Sequence, residues 1–209
     1  MPRIRREFTH LAPATVDRIA PFFSPRSTTF AFEEVLFDVD PGVFDPVAHV
    51  SGMVFARWLL GQDFTDQRVV DVGTGCGLLA HAISRTAAVV VATDVDAKAA
   101  ACASRNLEDS AVEVRCGDLF SAVSNERFDL MVTNPPYEIG IARRPTLRSP
   151  DMLWRLAEGW RDVADSLLLA FPTDSIDMLV DAGLHLDLEE RIPTEGRELG
   201  IFRGSPRRS

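Results

Sequence analysis

The stretch Arg68-Val69-Val70-Asp71-Val72-Gly73-Thr74-Gly75-Cys76-Gly77 decides how the chain is read. Residues 68–72 form a short, mostly β-branched run of strand length, and residues 78–85 continue as a helix. A strand, a glycine turn and a helix in that order build a nucleotide-type site. The glycines let the backbone approach a ligand closely, and the helix start presents free N–H groups to an anion. The spacing is G-x-G-x-G, whereas the dinucleotide fingerprint would need a glycine where Leu78 stands. A pyrophosphate cofactor is therefore disfavoured, and a ligand with a small carboxylate is easier to accommodate. Gly73, Thr74, Gly75 and Gly77 are the candidate cradle. Asp71 could receive the ligand's ammonium group, directly or through water. The glycines alone would also suit a tight turn in any α/β domain.

Two more strand tips follow in order. Residues 88–92 form the second strand, ending at Thr93-Asp94. Asp94 lies roughly 20 residues past the glycine turn, where an acid that hydrogen-bonds ribose hydroxyls is expected. Asp96 precedes the alanine-rich helix at residues 97–107 and suits an N-cap. Cys102 belongs to the core face of that helix. Residues 112–116 form the third strand, tipped by Gly117-Asp118-Leu119-Phe120. Asp118 could accept from an adenine amine while Leu119 packs on the ring; taken alone, Asp118 is as readily a helix cap. Three tips in sequence weigh against the blander readings.

The fourth tip is Asn134-Pro135-Pro136-Tyr137, after the apolar strand at residues 128–133. Neither proline can donate to a ladder, and each biases the preceding residue towards extended backbone. Asn134 is thereby placed at the carboxyl end of a strand, where α/β sheets bind ligands.

These four motifs resemble the class I S-adenosylmethionine-dependent methyltransferases. The match covers about residues 68–137, carried by residues 71–77, Asp94, Asp118 and the tetrad at 134–137. The tetrad is similar to that of the branch methylating planar nitrogens: the HemK/PrmC-type glutamine methyltransferases of release factors, and adenine and guanine amine methyltransferases acting on DNA or rRNA. The resemblance implies S-adenosyl-L-methionine as cofactor and a Rossmann-like α/β fold. Its seven-stranded sheet has helices on both faces and a small N-terminal helix and hairpin extension. Residues 1–45 are the extension and a possible lid, and residues 46–209 the methyltransferase domain. Gly42-Val43-Phe44 resembles the segment these enzymes place over the cofactor, which adds Phe44 to the cofactor set. Asp45-Pro46-Val47-Ala48-His49 departs from the Pro-Arg-containing signature of the glutamine enzymes. The sequence is expected to lack their large N-terminal helical domain.

The chemistry suits the residue types. An amide or aromatic amine nitrogen is a weak nucleophile because its lone pair is delocalised, and in-line displacement from a sulfonium needs that lone pair aimed at the methyl group. Two acceptors on its N–H bonds, the Asn134 side-chain oxygen and the Pro135 carbonyl, would turn the nitrogen and favour pyramidalisation. Tyr137 can stack on the planar group. The alkylated, positively charged nitrogen is acidic, so no catalytic histidine is needed.

Composition sets the outer bounds. A chain of 209 residues, 46% hydrophobic and 25% charged, suits one good-sized globular domain. The net charge of −9 argues against gripping nucleic acid over the whole surface. Arg3, Arg5 and Arg6, with Arg203, Arg207 and Arg208, read as solvated tails. Cys76, Cys102 and Cys116 have neither disulfide nor zinc spacing, and the four histidines do not cluster with them. A reducing, cytoplasmic setting without a metal is expected. No apolar h-region follows Arg5-Arg6, and no apolar stretch approaches the ~20 residues that cross a bilayer.

Before the glycine turn, a short helix is expected at residues 15–23 and strands at 29–32 and 35–39. Pro41-Gly42 signals a turn, and residues 47–60 carry helical apolar spacing. The segment from Gly42 to Pro46 is either a turn with one buried Phe or a lid. After the tetrad, Arg143, Arg144 and Arg148 lie in a loop beside the acceptor pocket. They either meet an acceptor phosphate or carboxylate or are solvated. A helix at 151–165, a strand at 166–171, a helix at 174–182 ended by Gly183, and strands at 184–192 and 199–202 complete the pattern.

The leading function is therefore N-methylation of a protein glutamine or a small molecule. A base amine of nucleic acid comes next. A same-fold enzyme that redirects the sulfonium, and a noncatalytic cofactor-binding module, are further alternatives.

Overall fold

Parallel strands need a crossover to return, and each crossover helix must bury one face on the sheet. In a computed structural model of the chain, residues 25–136, 149–194 and 197–205 are described. The helix expected at 15–23, Tyr137 and the three arginines of the following loop lie outside the described residues.

A hairpin comes first, β1 (Thr28–Phe32) with β2 (Val35–Val39), followed by α1 (Val50–Leu60). The alternating part runs β3 (Arg68–Val72), α2 (Leu78–Ser84), β4 (Val89–Asp94), α3 (Ala97–Asn106), β5 (Val112–Cys116) and β6 (Phe128–Thr133). Then come α4 (Ser149–Val163), β7 (Ala164–Pro172), a 3-10 turn (Thr173–Ser175), α5 (Ile176–Asp181), β8 (Asp187–Thr194) and β9 (Arg197–Gly204). The second sheet has seven strands in the order β5-β4-β3-β6-β7-β9-β8. Neighbours from β5 to β7 pair in parallel, and β9 runs antiparallel to both β7 and β8. Strand order reverses between β3 and β6, the switch point where doubly wound sheets open a crevice.

Two apolar layers flank the sheet. One gathers the hairpin, α1, α2 and α3 around Phe37, Phe55, Leu59 and Ile83; the other gathers α4 and α5 around Trp160, Leu153 and Phe128. The hairpin thus shares a core with the glycine-turn helix. Asn106 fastens it there: its Oδ1 accepts from the Asp38 amide (3.0 Å), and its Nδ2 donates to the carbonyls of Asp38 (2.8 Å) and Cys76 (2.9 Å).

Several boundaries move for identifiable reasons. Helix α1 starts at Val50 rather than 47 because the Asp45 carboxylate accepts from the amides of Val47 and Ala48, holding them in a turn. Ala164 and Asp165 leave the expected helix for β7, where Ala164 pairs with Phe128. The helix expected over 174–182 splits into the 3-10 turn and α5. Gly183 does end it: its amide donates to Val180, and the Leu184 amide donates to Leu179, a Schellman closure. Leu184 is spent on that closure, so β8 begins at Asp187 instead of 184. No helix among the described residues is long and apolar enough to cross a membrane.

Candidate active site

Strand register brings the predicted tips together. Val72 pairs with Thr93, and Asp71 with Val132. Continuing both ladders by one or two residues sets Gly73 between Asp94 and Asn134. Cross-ties lock the tips: the amides of Gly73 and Thr74 donate to the Thr93 carbonyl (2.8 and 2.9 Å). The buried Thr133 hydroxyl donates to the Val72 carbonyl at 2.8 Å.

The glycine turn has the backbone its composition implies. Gly75 has φ +59, and a Cβ built on it would meet nothing within 4 Å; Gly73, at φ +79, is equally open. Their free faces form a cradle that side chains would fill. Gly77 differs: its φ is +91, and a Cβ would lie 2.8 Å from Leu107, so it serves the packing of α2 on α3.

Asp71 lies fully buried beneath this turn. Its Oδ2 accepts from the Thr74 hydroxyl at 2.6 Å, while Oδ1 is buried without a hydrogen-bond partner among the described residues. Burial pushes the Asp71 carboxyl up to about 7; the Thr74 hydrogen bond opposes this, the Asp94 charge adds to it, and the Ala80 amide opposes it. A carboxylate in that state gains from a cation brought to Oδ1. Asp94 accepts from the amides of Gly75 and Asp96, both at 2.9 Å. Burial raises its carboxyl, and those same amides hold it down. Asp96 caps α3 through the Lys98 amide, as its position suggested.

The third tip carries an ion pair. The Asp118 carboxylate pairs with Arg155 of α4 at 2.8 Å, with both side chains about half exposed. Leu119 takes a left-handed φ of 51. Its side chain is only 8% exposed and packs in the α4-side core, leaving it little face to offer a ring.

The fourth tip meets a segment remote in sequence. Asn134 Nδ2 donates to the Ser51 hydroxyl at 3.3 Å, across 83 residues. Asn134 Oδ1 is buried and has no hydrogen-bond partner among the described residues. Pro135 beside it is buried. Gly52 makes the approach possible: a Cβ there would sit 3.1 Å from Pro46 and 3.7 Å from both Asn134 Nδ2 and Phe44. Phe44 is therefore at the site, tilted against His49 with ring centroids 5.6 Å apart. Burial pushes His49 down to about 4, against the pull of Asp45, so its imidazole is neutral at physiological pH. Asp45 also accepts from the Thr28 hydroxyl at 2.9 Å, tying this segment to the hairpin.

Sequence reasoning missed Ser51, Gly52 and Asn106. The first two were absorbed into the apolar spacing of α1. Two weak helix formers side by side in its first turn were the available signal. The cysteines are free, and Cys76 and Cys102 are buried as core residues. No metal-holding cluster occurs among the described residues.

Comparison with known proteins agrees with this geometry. The family model of the methyltransferase small domain matches residues 35–150. The chain is 35% identical over 155 residues to the ribosomal protein L11 methyltransferase of Symbiobacterium thermophilum, covering 72% of the chain and 49% of that relative. It is 46% identical over 78 residues to the release factor glutamine methyltransferase of Xylella fastidiosa, covering 35% of the chain and 28% of that relative. The chain thus spans about half or less of these relatives' length. The T. thermophilus 16S rRNA N2 G1207 methyltransferase, solved with AdoMet and guanosine, shares the fold. Its TM-score is 0.64 at 20% identity, over 87% of this chain and 50% of that one.

Proposed function

The chain belongs to the methyltransferase small domain family, and on that premise we propose that it transfers a methyl group from S-adenosylmethionine to a planar amide or amine nitrogen of a protein glutamine or a small molecule. The family and the AdoMet-bound structure of a fold relative support this cofactor. When bound, it supplies a methyl group on a positively charged sulfonium. The open faces of Gly73 and Gly75 make room for it, Asp71 Oδ1 offers a partner to its ammonium, and Asp94 to its ribose hydroxyls. Phe44 covers the site from the hairpin side.

The observation carrying the acceptor reading is the buried Oδ1 of Asn134, which has no hydrogen-bond partner among the described residues. An acceptor oxygen in that state costs stability until an N–H reaches it. A planar NH2 group satisfies it and, with a second N–H on the Pro135 carbonyl, is turned so that its lone pair faces the methyl donor. Both oxygens accept hydrogen bonds that strengthen as the nitrogen becomes positive, so they stabilise the transition state more than the ground state.

Two named relatives favour a protein acceptor, since the L11 and release-factor enzymes are described by protein substrates. A base amine of RNA is the second reading, favoured by the rRNA enzyme that shares the fold. Incubation with methyl-labelled cofactor and separated protein, RNA and small-molecule fractions tests the choice. Label in protein or small molecules is expected. Label in RNA alone would install the second reading, and label in none would overturn both.

A further inference from the structure

We infer that Ser51 is a positioning residue for this chemistry: its hydroxyl seats the Asn134 amide nitrogen, so that the amide oxygen is the end left for the acceptor. The inference rests on the proposed role of Asn134 and extends it to a residue of α1.

A carboxamide has two ends of nearly equal size and opposite hydrogen-bonding sense. Turned by half a rotation, Asn134 would aim N–H bonds at the N–H bonds of its acceptor, and the attraction would become repulsion. Strand geometry fixes the Asn134 backbone but not this final torsion, which is broad and nearly two-fold for a terminal amide. A serine hydroxyl both donates and accepts and so does not by itself select an end; what it can do is hold the torsion in which Nδ2 faces α1 and Oδ1 faces the acceptor. The Ser51 hydroxyl is the recorded partner of the Asn134 side chain, at 3.3 Å from Nδ2, and Ser51 is itself buried. Gly52 follows it and leaves the Nδ2 end 3.7 Å from where a Cβ would begin. The nitrogen end is therefore seated against α1, and Oδ1 is the end without a hydrogen-bond partner among the described residues. Asp45 and Thr28 hold the start of α1 to the hairpin, so the seat is not a free loop.

The test compares the wild-type chain with Ser51→Ala, Ser51→Thr and Asn134→Ala. Alanine is smaller than serine and a better helix former, so the fold is retained. Side-chain amide resonances of Asn134, assigned by their loss in Asn134→Ala, are followed by nitrogen-15 NMR together with their solvent exchange. Ser51→Ala should shift both resonances and speed their exchange, and Ser51→Thr should restore the slow exchange. Methyl transfer should fall about tenfold in Ser51→Ala, the scale of one lost hydrogen bond, while the cofactor Kd from calorimetry stays within about twofold. Ser51→Ala should cost nothing further in the Asn134→Ala background, whereas a merely structural role would cost the same in both. Unmoved Asn134 resonances in Ser51→Ala would overturn the inference. Label in no fraction with the wild-type chain would instead remove the proposed reaction, and the NMR result would still decide whether Ser51 seats Asn134.

Discussion

The two sides of the site are built in opposite ways. On the proposed cofactor side, the candidate groups lie within one continuous βαβ run, and their partners are near in sequence: Thr74 on Asp71, three residues away, and Gly75 on Asp94, 19 away. On the proposed acceptor side, Asn134 bonds Ser51, 83 residues away, on a helix that begins late because Asp45 delays it. The first side is a local motif carried by a ladder register. The second is a meeting of two remote segments and depends on packing. Asn106 is the bridge, since its side chain bonds both β2 and Cys76 of the glycine turn.

This division can be broken by experiment. The largest effect is expected from Asn134→Ala. Methyl transfer should drop by about 100- to 1,000-fold, the usual scale for losing one transition-state hydrogen bond, with cofactor affinity retained by calorimetry. A collapse of that affinity would merge the two sides into one.

Asp94→Ala should do the converse. It would remove the proposed ribose partner and release the amides of Gly75 and Asp96, so the cofactor Kd should rise by about 30-fold or more, since bonds to charged groups are worth about 1.5–3 kcal/mol each. An unchanged Kd would take Asp94 out of the cofactor side.

Gly52→Ala sharpens the contrast from the acceptor side. Alanine in a helix gains about 1 kcal/mol over glycine. Its methyl would nonetheless press on Pro46 at 3.1 Å and crowd Asn134 and Phe44. Thermal stability should change little while transfer falls several-fold. Equal losses in both would make Gly52 a packing residue only.

The remaining effect is on stability and concerns protons. The folded Asp71 carboxyl is raised to about 7 from 3.8. A raised acid keeps its proton in the folded state, so its stabilising contribution is full below about 4 and is lost as pH rises through about 7. The stability of the wild-type chain relative to Asp71→Asn should therefore decline between pH 4 and 7 and then level off. Taking the difference between two variants cancels the opposite trend from His49 and His81, both lowered by burial. Denaturant titrations at several pH values read this directly, and a rising difference would contradict the buried-acid account.

Much of the cofactor side was legible beforehand. The residue ranges of β3, β5 and β6 need no revision: β3 and β6 are largely buried and read as apolar runs between breakers, while the edge strand β5 reads by the alternation of Val112 and Val114 with Glu113 and Arg115. Asp96 as the cap of α3 and Gly183 as the stop of α5 were equally plain, since caps are written in single residues. Asp118 shows the limit. Its position at a strand tip was correct, but its partner Arg155 lies 37 residues further on, and nothing local announces an ion pair with another helix. Leu119 shows it again, as which way a leucine turns at a tip depends on the core available beneath it.

By itself, then, the sequence determined the order of strands and helices, the glycine cradle and the identity of the residues at the four strand tips. These follow from short-range rules: side-chain periodicity, backbone freedom at glycine and the missing donor of proline. Only the tertiary structure decided that α1 would bring Ser51 and Gly52 to Asn134, that Phe44 would lie beside them, and that Asp71 and Asn134 would each keep one buried oxygen without a partner among the described residues. Those facts depend on desolvation and on contacts between distant segments, which exist only once the sheet has closed its crevice against the hairpin.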